Sequence, residues 1–146
     1  MKFYAKVIAV LSGIGTANAL YLTVLFFRNR PHAGLPSVCD FSAEFSCTRV
    51  ITSPYALFLG VPVCTIALVV YPALAALAIA ALRCQRTRNL FYVASLLSAM
   101  GLTLNGVYVY NEAVHLGAAC ALCIACTVLI ALDLAASIRG YQLSAN

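Results

Sequence analysis

Four stretches of this chain are long and apolar enough to cross a lipid bilayer as helices, and that limits what it can fold into more than any other feature. They run from about 7 to 27, 62 to 82, 90 to 110 and 116 to 138. Each has the roughly 20 residues that an α-helix needs to span about 30 Å of hydrocarbon. Of the 146 residues, 64% are hydrophobic and 9% are charged, whereas about a quarter are charged in soluble domains. One water-soluble core of this size could not hide so much apolar surface. The expected fold is all-α and integral to a membrane: one domain, residues 1–146, built as a four-transmembrane-helix bundle.

The apolar stretch from Pro54 to Leu82 is too long for one straight span. Gly60 and Pro62 in LGVPVC divide it. A short helix over Pro54–Leu59 is expected at the interface, and the span itself begins near Pro62, where proline suits a first helical turn. At the N-terminus, Lys2, Lys6 and the small residues of TANA have the look of a signal peptide. The apolar run continues past them through LYLTVLFF, so the segment reads as a retained helix.

Four spans place Lys2, Lys6, Arg83, Arg86, Arg88 and Arg139 on one side and Arg28, Arg30 and Arg49 on the other, six against three of the nine basic residues. The six-residue side is expected in the cytoplasm, with both termini. The loop of about 28–61 and the short turn at Asn111–His115 then face a periplasm or an ER-type lumen. The net charge of +5 follows from this topology and gives no case for nucleic acid binding.

The seven cysteines divide along the same axis. Cys39 and Cys47 lie in the outer loop, in VCDFSAEFSC, and Cys120 and Cys123 open the last span, in AACALCIAC. All four are on the oxidising side, where disulfides persist. At i and i+3 of a helix, Cys120 and Cys123 share a face and can pair. A helix starting near Gly117 puts its positive dipole end at Cys120, where negative charge is stabilised. Cys123 is one turn deeper, at a depth a lipid-soluble oxidant reaches, while the loop pair is wet and can meet a soluble protein. Exchange between the pairs could carry electrons from outside proteins to an acceptor in the membrane. Two other readings stay open: a structural zinc, against which the seven-residue gap between Cys39 and Cys47 counts, and a purely structural disulfide in a non-catalytic protein. Cys64, Cys84 and Cys126 read as small apolar or unpaired residues.

The run VCDFSAEFSCTRVITSPYALFLGVP, with CALCIACT opening the last helix and YLT at Tyr21–Thr23, resembles the vitamin K epoxide reductase (VKOR) family over essentially the whole chain. The resemblance implies a bundle around a quinone pocket (ubiquinone, menaquinone or vitamin K type), capped by the outer loop and a short interfacial helix. It implies electrons passing from a thioredoxin-fold (DsbA- or PDI-like) protein to the loop cysteines, then to the CxxC, then to the quinone. On matching positions Cys39 and Cys47 are the shuttle pair, with Cys39 meeting the partner and Cys47 reaching Cys120. Cys120 and Cys123 are the catalytic pair, with Cys123 nearest the quinone, and no metal is involved. Ser53 matches a hydroxyl near the quinone; its place before Pro54 is equally that of a helix cap.

Two departures favour plain quinone reduction over epoxide reduction. Thr127 stands where antagonist-sensitive members have tyrosine, and the second span lacks a polar asparagine. Many bacterial relatives carry a fused thioredoxin-like domain, but only about eight residues follow Ile138, so the redox partner is expected to be a separate protein. A bacterial inner membrane is the expected location, with the ER second. Asn18 and Asn105 should face the bundle. Asp133 reads as interfacial, and Asp40, Glu44 and Arg49 as a solvated loop.

Overall fold

The computed structural model describes residues 1–29, 37–84 and 87–145. Arg30 and Arg86, counted above for orientation, lie outside the described residues, as does the part of the loop at 30–36. The helices are α1 (Lys2–Asn29), the short α2 (Cys47–Ile51), α3 (Val63–Arg83), α4 (Arg88–Asn111) and α5 (Ala121–Ala145). The four long helices are each long and apolar enough to cross a membrane. They pack as one bundle with an inverted surface: Val10, Ile14, Val69, Met100, Val107 and Val128 point outward, while Ser12, Ser98, Glu112, Asp133 and Ser137 are buried. Polar groups turned inward and aliphatic ones outward is what a hydrocarbon solvent selects.

The core has three layers. At one end Ala5, Ile8 and Ala81 pack on Phe91 and Ala136, in the middle Ala19, Leu74 and Ile130 surround Tyr71, and at the other end Phe26, Val50 and Ile51 close over Tyr108 and four cysteines. Gly15 admits the Tyr71 ring against α1; a Cβ there would overlap it. Small residues let membrane helices approach this closely. Thr87 Oγ1 meets Met1 Sδ at 3.4 Å and Arg88 Nη2 donates to the Tyr141 hydroxyl at 3.2 Å, so the starts of α1 and α4 and the C-terminal part of α5 share one end.

Several boundaries differ from the sequence reading. The interfacial helix expected over Pro54–Leu59 is a single 3-10 turn, Pro54–Ala56. It is followed by a two-stranded hairpin, β1 (Leu57–Phe58) against β2 (Val61–Pro62). Leu59 and Gly60 form its tip with φ of 51° and 83°. Two consecutive positive φ values make a tight hairpin turn, which glycine permits and a helix does not. The expected outer turn at Asn111–His115 is instead helical: α4 continues through a wider π turn, Glu112–Leu116, to Gly117 at φ 60°. The fourth long helix starts at Ala121 rather than near 116, because Ala119 bridges to Phe45 and its N–H donates to the Glu44 carbonyl at 2.7 Å. A backbone held by that long-range bond cannot also be in the helix.

Asp133 is not interfacial. Because α5 runs on to Ala145, Asp133 sits near its middle, fully buried, and accepts a hydrogen bond from Ser12 Oγ at 3.1 Å.

Candidate thiol–disulfide relay site

Cys39 and Cys47 are joined by a disulfide, and Asp40 holds the segment that carries them. Its Oδ2 accepts from Ser37 N–H at 2.7 Å and Thr48 Oγ1 at 2.6 Å. Its Oδ1 accepts from Ser46 Oγ at 2.7 Å and Thr48 N–H at 3.1 Å. Burial alone would push the Asp40 carboxyl up; the hydrogen bonds from Thr48, Ser37 and Ser46 outweigh it and hold the group well below the usual carboxylate range. Asp40 is therefore a brace rather than a solvated loop residue, and it spans both cysteines. Ser46 in turn caps α2 by accepting from Arg49 N–H, and Arg49 Nη1 donates to the Ala43 carbonyl at 3.1 Å. The loop pair is also drier than the sequence suggests, with Cys39 at 4% exposure and Cys47 at 0%.

Cys120 occupies the position just before α5. Its sulfur accepts from Cys123 N–H at 3.4 Å, and its carbonyl accepts from Ile124 N–H at 3.0 Å. A serine oxygen would do the same at a helix N-cap, so the cap itself fixes the direction of this thiol. It points at the loop: Cys120 Sγ lies 2.8 Å from Cys47 Sγ. The sulfurs of Cys39, Cys47 and Cys120 all lie within 4.8 Å of one another. Two of the three are committed to a disulfide, so the cluster in this state is an exchange geometry.

Each of the other long helices grips the first turns of α5. Asn18 of α1 donates to the Leu122 carbonyl at 3.0 Å and to Cys126 Sγ at 3.1 Å. Tyr71 of α3 donates to the Cys126 carbonyl at 2.9 Å. Asn105 of α4 donates to the Cys123 carbonyl at 3.2 Å and to Thr127 Oγ1 at 2.7 Å. Both asparagines face the bundle as expected, and what they hold is the backbone of the CxxC.

Cys123 lines a narrow cavity of about 20 Å³ with Cys64, Asn105, Tyr108 and Cys126. Tyr108 and Val63 also wall an adjoining, roomier space of about 220 Å³ that is lined by Tyr55, Phe58 and Asn111. Sites for small molecules are mostly apolar with a few polar groups, and both linings are of that kind. Ser53, at 7% exposure, donates to the Val50 carbonyl at 2.7 Å. It stands at the N-cap position of the 3-10 turn with Pro54 after it, but its hydroxyl does not bond the turn.

A scan against protein families matches residues 6–138 to the vitamin K epoxide reductase family. The chain belongs to that family. Among curated protein sequences none matches it. Membership in the vitamin K epoxide reductase family, together with the four apolar helices, makes this an integral membrane oxidoreductase. The sequence reading leaves out three contributors to the site: Asp40, Tyr71 and Tyr108. It also dismissed Cys64 and Cys126, which line the cavity beside Cys123. The helical spacing of Asn105, Tyr108 and Glu112 was a usable signal, since it puts three polar side chains on one face of an apolar span.

Proposed function

We propose that this protein carries two electrons from a thioredoxin-fold protein outside the cytoplasm through Cys39–Cys47 and Cys120–Cys123 to a quinone, and so supports disulfide formation in its partners. The observation behind this reading is the 2.8 Å separation of Cys120 Sγ from Cys47 Sγ, with Cys39 as the other half of the disulfide. A partner dithiol reduces the loop disulfide and leaves oxidised. Cys47 thiolate then attacks Cys120 of an oxidised CxxC, giving a Cys47–Cys120 mixed disulfide and freeing Cys123. Cys39 attacks Cys47, closing the loop disulfide and freeing Cys120. The resulting state, with the loop oxidised and the CxxC reduced, is the oxidation pattern of this structure. Two electrons and two protons then leave the CxxC for the quinone, which becomes a quinol, and the Cys120–Cys123 bond re-forms.

Cys123 delivers the electrons because it lines the cavity, whereas Cys120 faces the loop. Thr127 keeps a short hydroxyl engaged with Asn105 and with the Cys123 carbonyl, so it braces the helix. The six-to-three bias of basic residues supports a loop side that faces away from the cytoplasm, which in a bacterial inner membrane is the periplasm.

Quinone reduction by the purified protein, driven first by a thioredoxin-fold dithiol protein and then by a small membrane-permeant dithiol, tests the proposal. Cys39→Ala should lose the protein-driven rate and keep the small-dithiol rate, Cys123→Ala should lose both, and Cys84→Ala should keep both. Equal quinone reduction by wild type and Cys123→Ala would remove the relay.

A further inference from the structure

Glu112 is 1% exposed. The start of the π turn puts it inside the bundle end instead of at the water interface that the sequence position suggests. Its carboxylate faces the Tyr108 hydroxyl, the backbone of Cys120 and the Cys123 thiol, yet neither oxygen closes a well-aligned hydrogen bond. A buried carboxyl without a satisfied partner is costly, and a leucine would fill the space more stably. Wide π turns recur where a helix must aim one side chain at a site. This buried carboxylate lies beside Cys123, the member of the CxxC pair that lines the cavity.

From this the geometry points to Glu112 as the proton acceptor of Cys123, a catalytic residue for the outward transfer of electrons. The inference rests on the quinone-reducing reading above. Reduced Cys123 must lose its proton before its sulfur can act as nucleophile or electron donor, because the thiolate is the reactive form. Water cannot take that proton readily at a site 4% exposed. Glu112 takes it, and the charge of the pair is unchanged: thiol plus carboxylate becomes thiolate plus carboxylic acid. Over the whole step the S–H bonds of Cys120 and Cys123 break and the Cys120–Cys123 bond forms. Two electrons go to the quinone, along with the proton held by Glu112 and the one released by Cys120, and Glu112 ends ionised as it began. The titratable groups facing Glu112 are Tyr108 on α4 and Cys120 and Cys123 at the head of α5. Tyr108 also walls the cavity, so its hydroxyl can pass a proton between Glu112 and a bound carbonyl oxygen.

Internal proton transfer has a signature that a structural role lacks. Because the pair exchanges one proton internally, Cys123 reactivity should be independent of pH wherever Glu112 is ionised. A thiol without an acceptor instead gains reactivity about tenfold per pH unit until it titrates. The experiment measures the alkylation rate of Cys123 by N-ethylmaleimide above about pH 7, by peptide mass spectrometry, on the full chain with Cys39–Cys47 intact as the marker of folding. Wild type should give a flat profile. Glu112→Gln should give a rising one and lower quinone turnover about 100-fold, the usual contribution of a general base. A rising wild-type profile overturns the proposal without recourse to any variant, and so does a Glu112→Gln profile as flat as wild type. If the profiles behave as expected but wild type reduces no quinone, the quinone reading fails and the proton role stands.

Discussion

Replacing Asp40 by asparagine should loosen the disulfide loop by an amount that its hydrogen bonds set. Each Asp40 oxygen accepts from one hydroxyl and one backbone N–H: Ser46 Oγ and Thr48 N–H on Oδ1, Thr48 Oγ1 and Ser37 N–H on Oδ2. An asparagine amide keeps one oxygen. Whichever way it is turned, one backbone N–H meets an NH₂ group, and that N–H cannot rotate away. Hydrogen bonds to charged groups contribute about 1.5–3 kcal/mol. Asp40 is half-buried, and water takes part of the loss, so the cost lies near the low end, about 2 kcal/mol. Every 1.4 kcal/mol is a factor of ten, so local opening should become roughly 30-fold more frequent. The assay is the rate at which a small dithiol reduces Cys39–Cys47. Both sulfurs are buried, so reduction has to wait for that opening. Thermal unfolding of the bundle should move far less, since the hydrogen bonds that the substitution removes all lie within residues 37–48. An Asp40→Asn reduction rate within about twofold of wild type, equivalent to less than 0.5 kcal/mol, would refute the bracing role.

Asp40 also sets a pH limit. Its carboxyl is depressed in the folded state, so the stability it lends is complete above its unfolded value of about 3.9 and is lost as pH falls through the folded value. Dithiol-independent opening of the loop, followed by limited proteolysis, should be constant down to about pH 4 and rise below it; a rise beginning near neutral pH would point to another group. Ser53→Ala removes the donor to the Val50 carbonyl and should cost about 1 kcal/mol of stability. Turnover per folded molecule that falls while stability holds would instead mark Ser53 as a quinone donor. For topology, a membrane-impermeant maleimide added to reduced, sealed cells should label Cys39 and Cys47 and reach Cys84 only after lysis; labelling of Cys84 alone would invert the orientation.

The four spans were legible because a run of apolar residues long enough to cross lipid has few other uses. The head of α5 was not legible. Its start at Ala121 depends on the Glu44–Ala119 hydrogen bond, which joins residues far apart in sequence. The cysteine pairs could be read from spacing and resemblance, but the capping role that aims Cys120 at Cys47 follows from that displaced start. Asp40 looked solvated because a charge in a polar loop usually is; its partners Ser46 and Thr48 were in view, but without the chain's path nothing turned them inward. The stripe Asn105–Tyr108–Glu112 is present in the sequence as a periodicity. In a membrane span both faces can be apolar, so the period is visible and its inward direction is carried mainly by the polar residues themselves. Glu112 was hidden by the expected loop at Asn111–His115, which proved to be helix.

The central claim is that electrons cross between the pairs at Cys47 and Cys120. It is tested most directly by trapping that bond. In a Cys39→Ala, Cys123→Ala double variant neither resolving cysteine remains, and mild oxidation should produce an intramolecular Cys47–Cys120 disulfide, identified by mass spectrometry of the linked peptides. The matching Cys47→Ala, Cys123→Ala variant should link Cys39 to Cys120 far more slowly, since the short approach is the one from Cys120 to Cys47. Faster formation of Cys39–Cys120, or failure of Cys47 and Cys120 to join in folded protein, would contradict the relay.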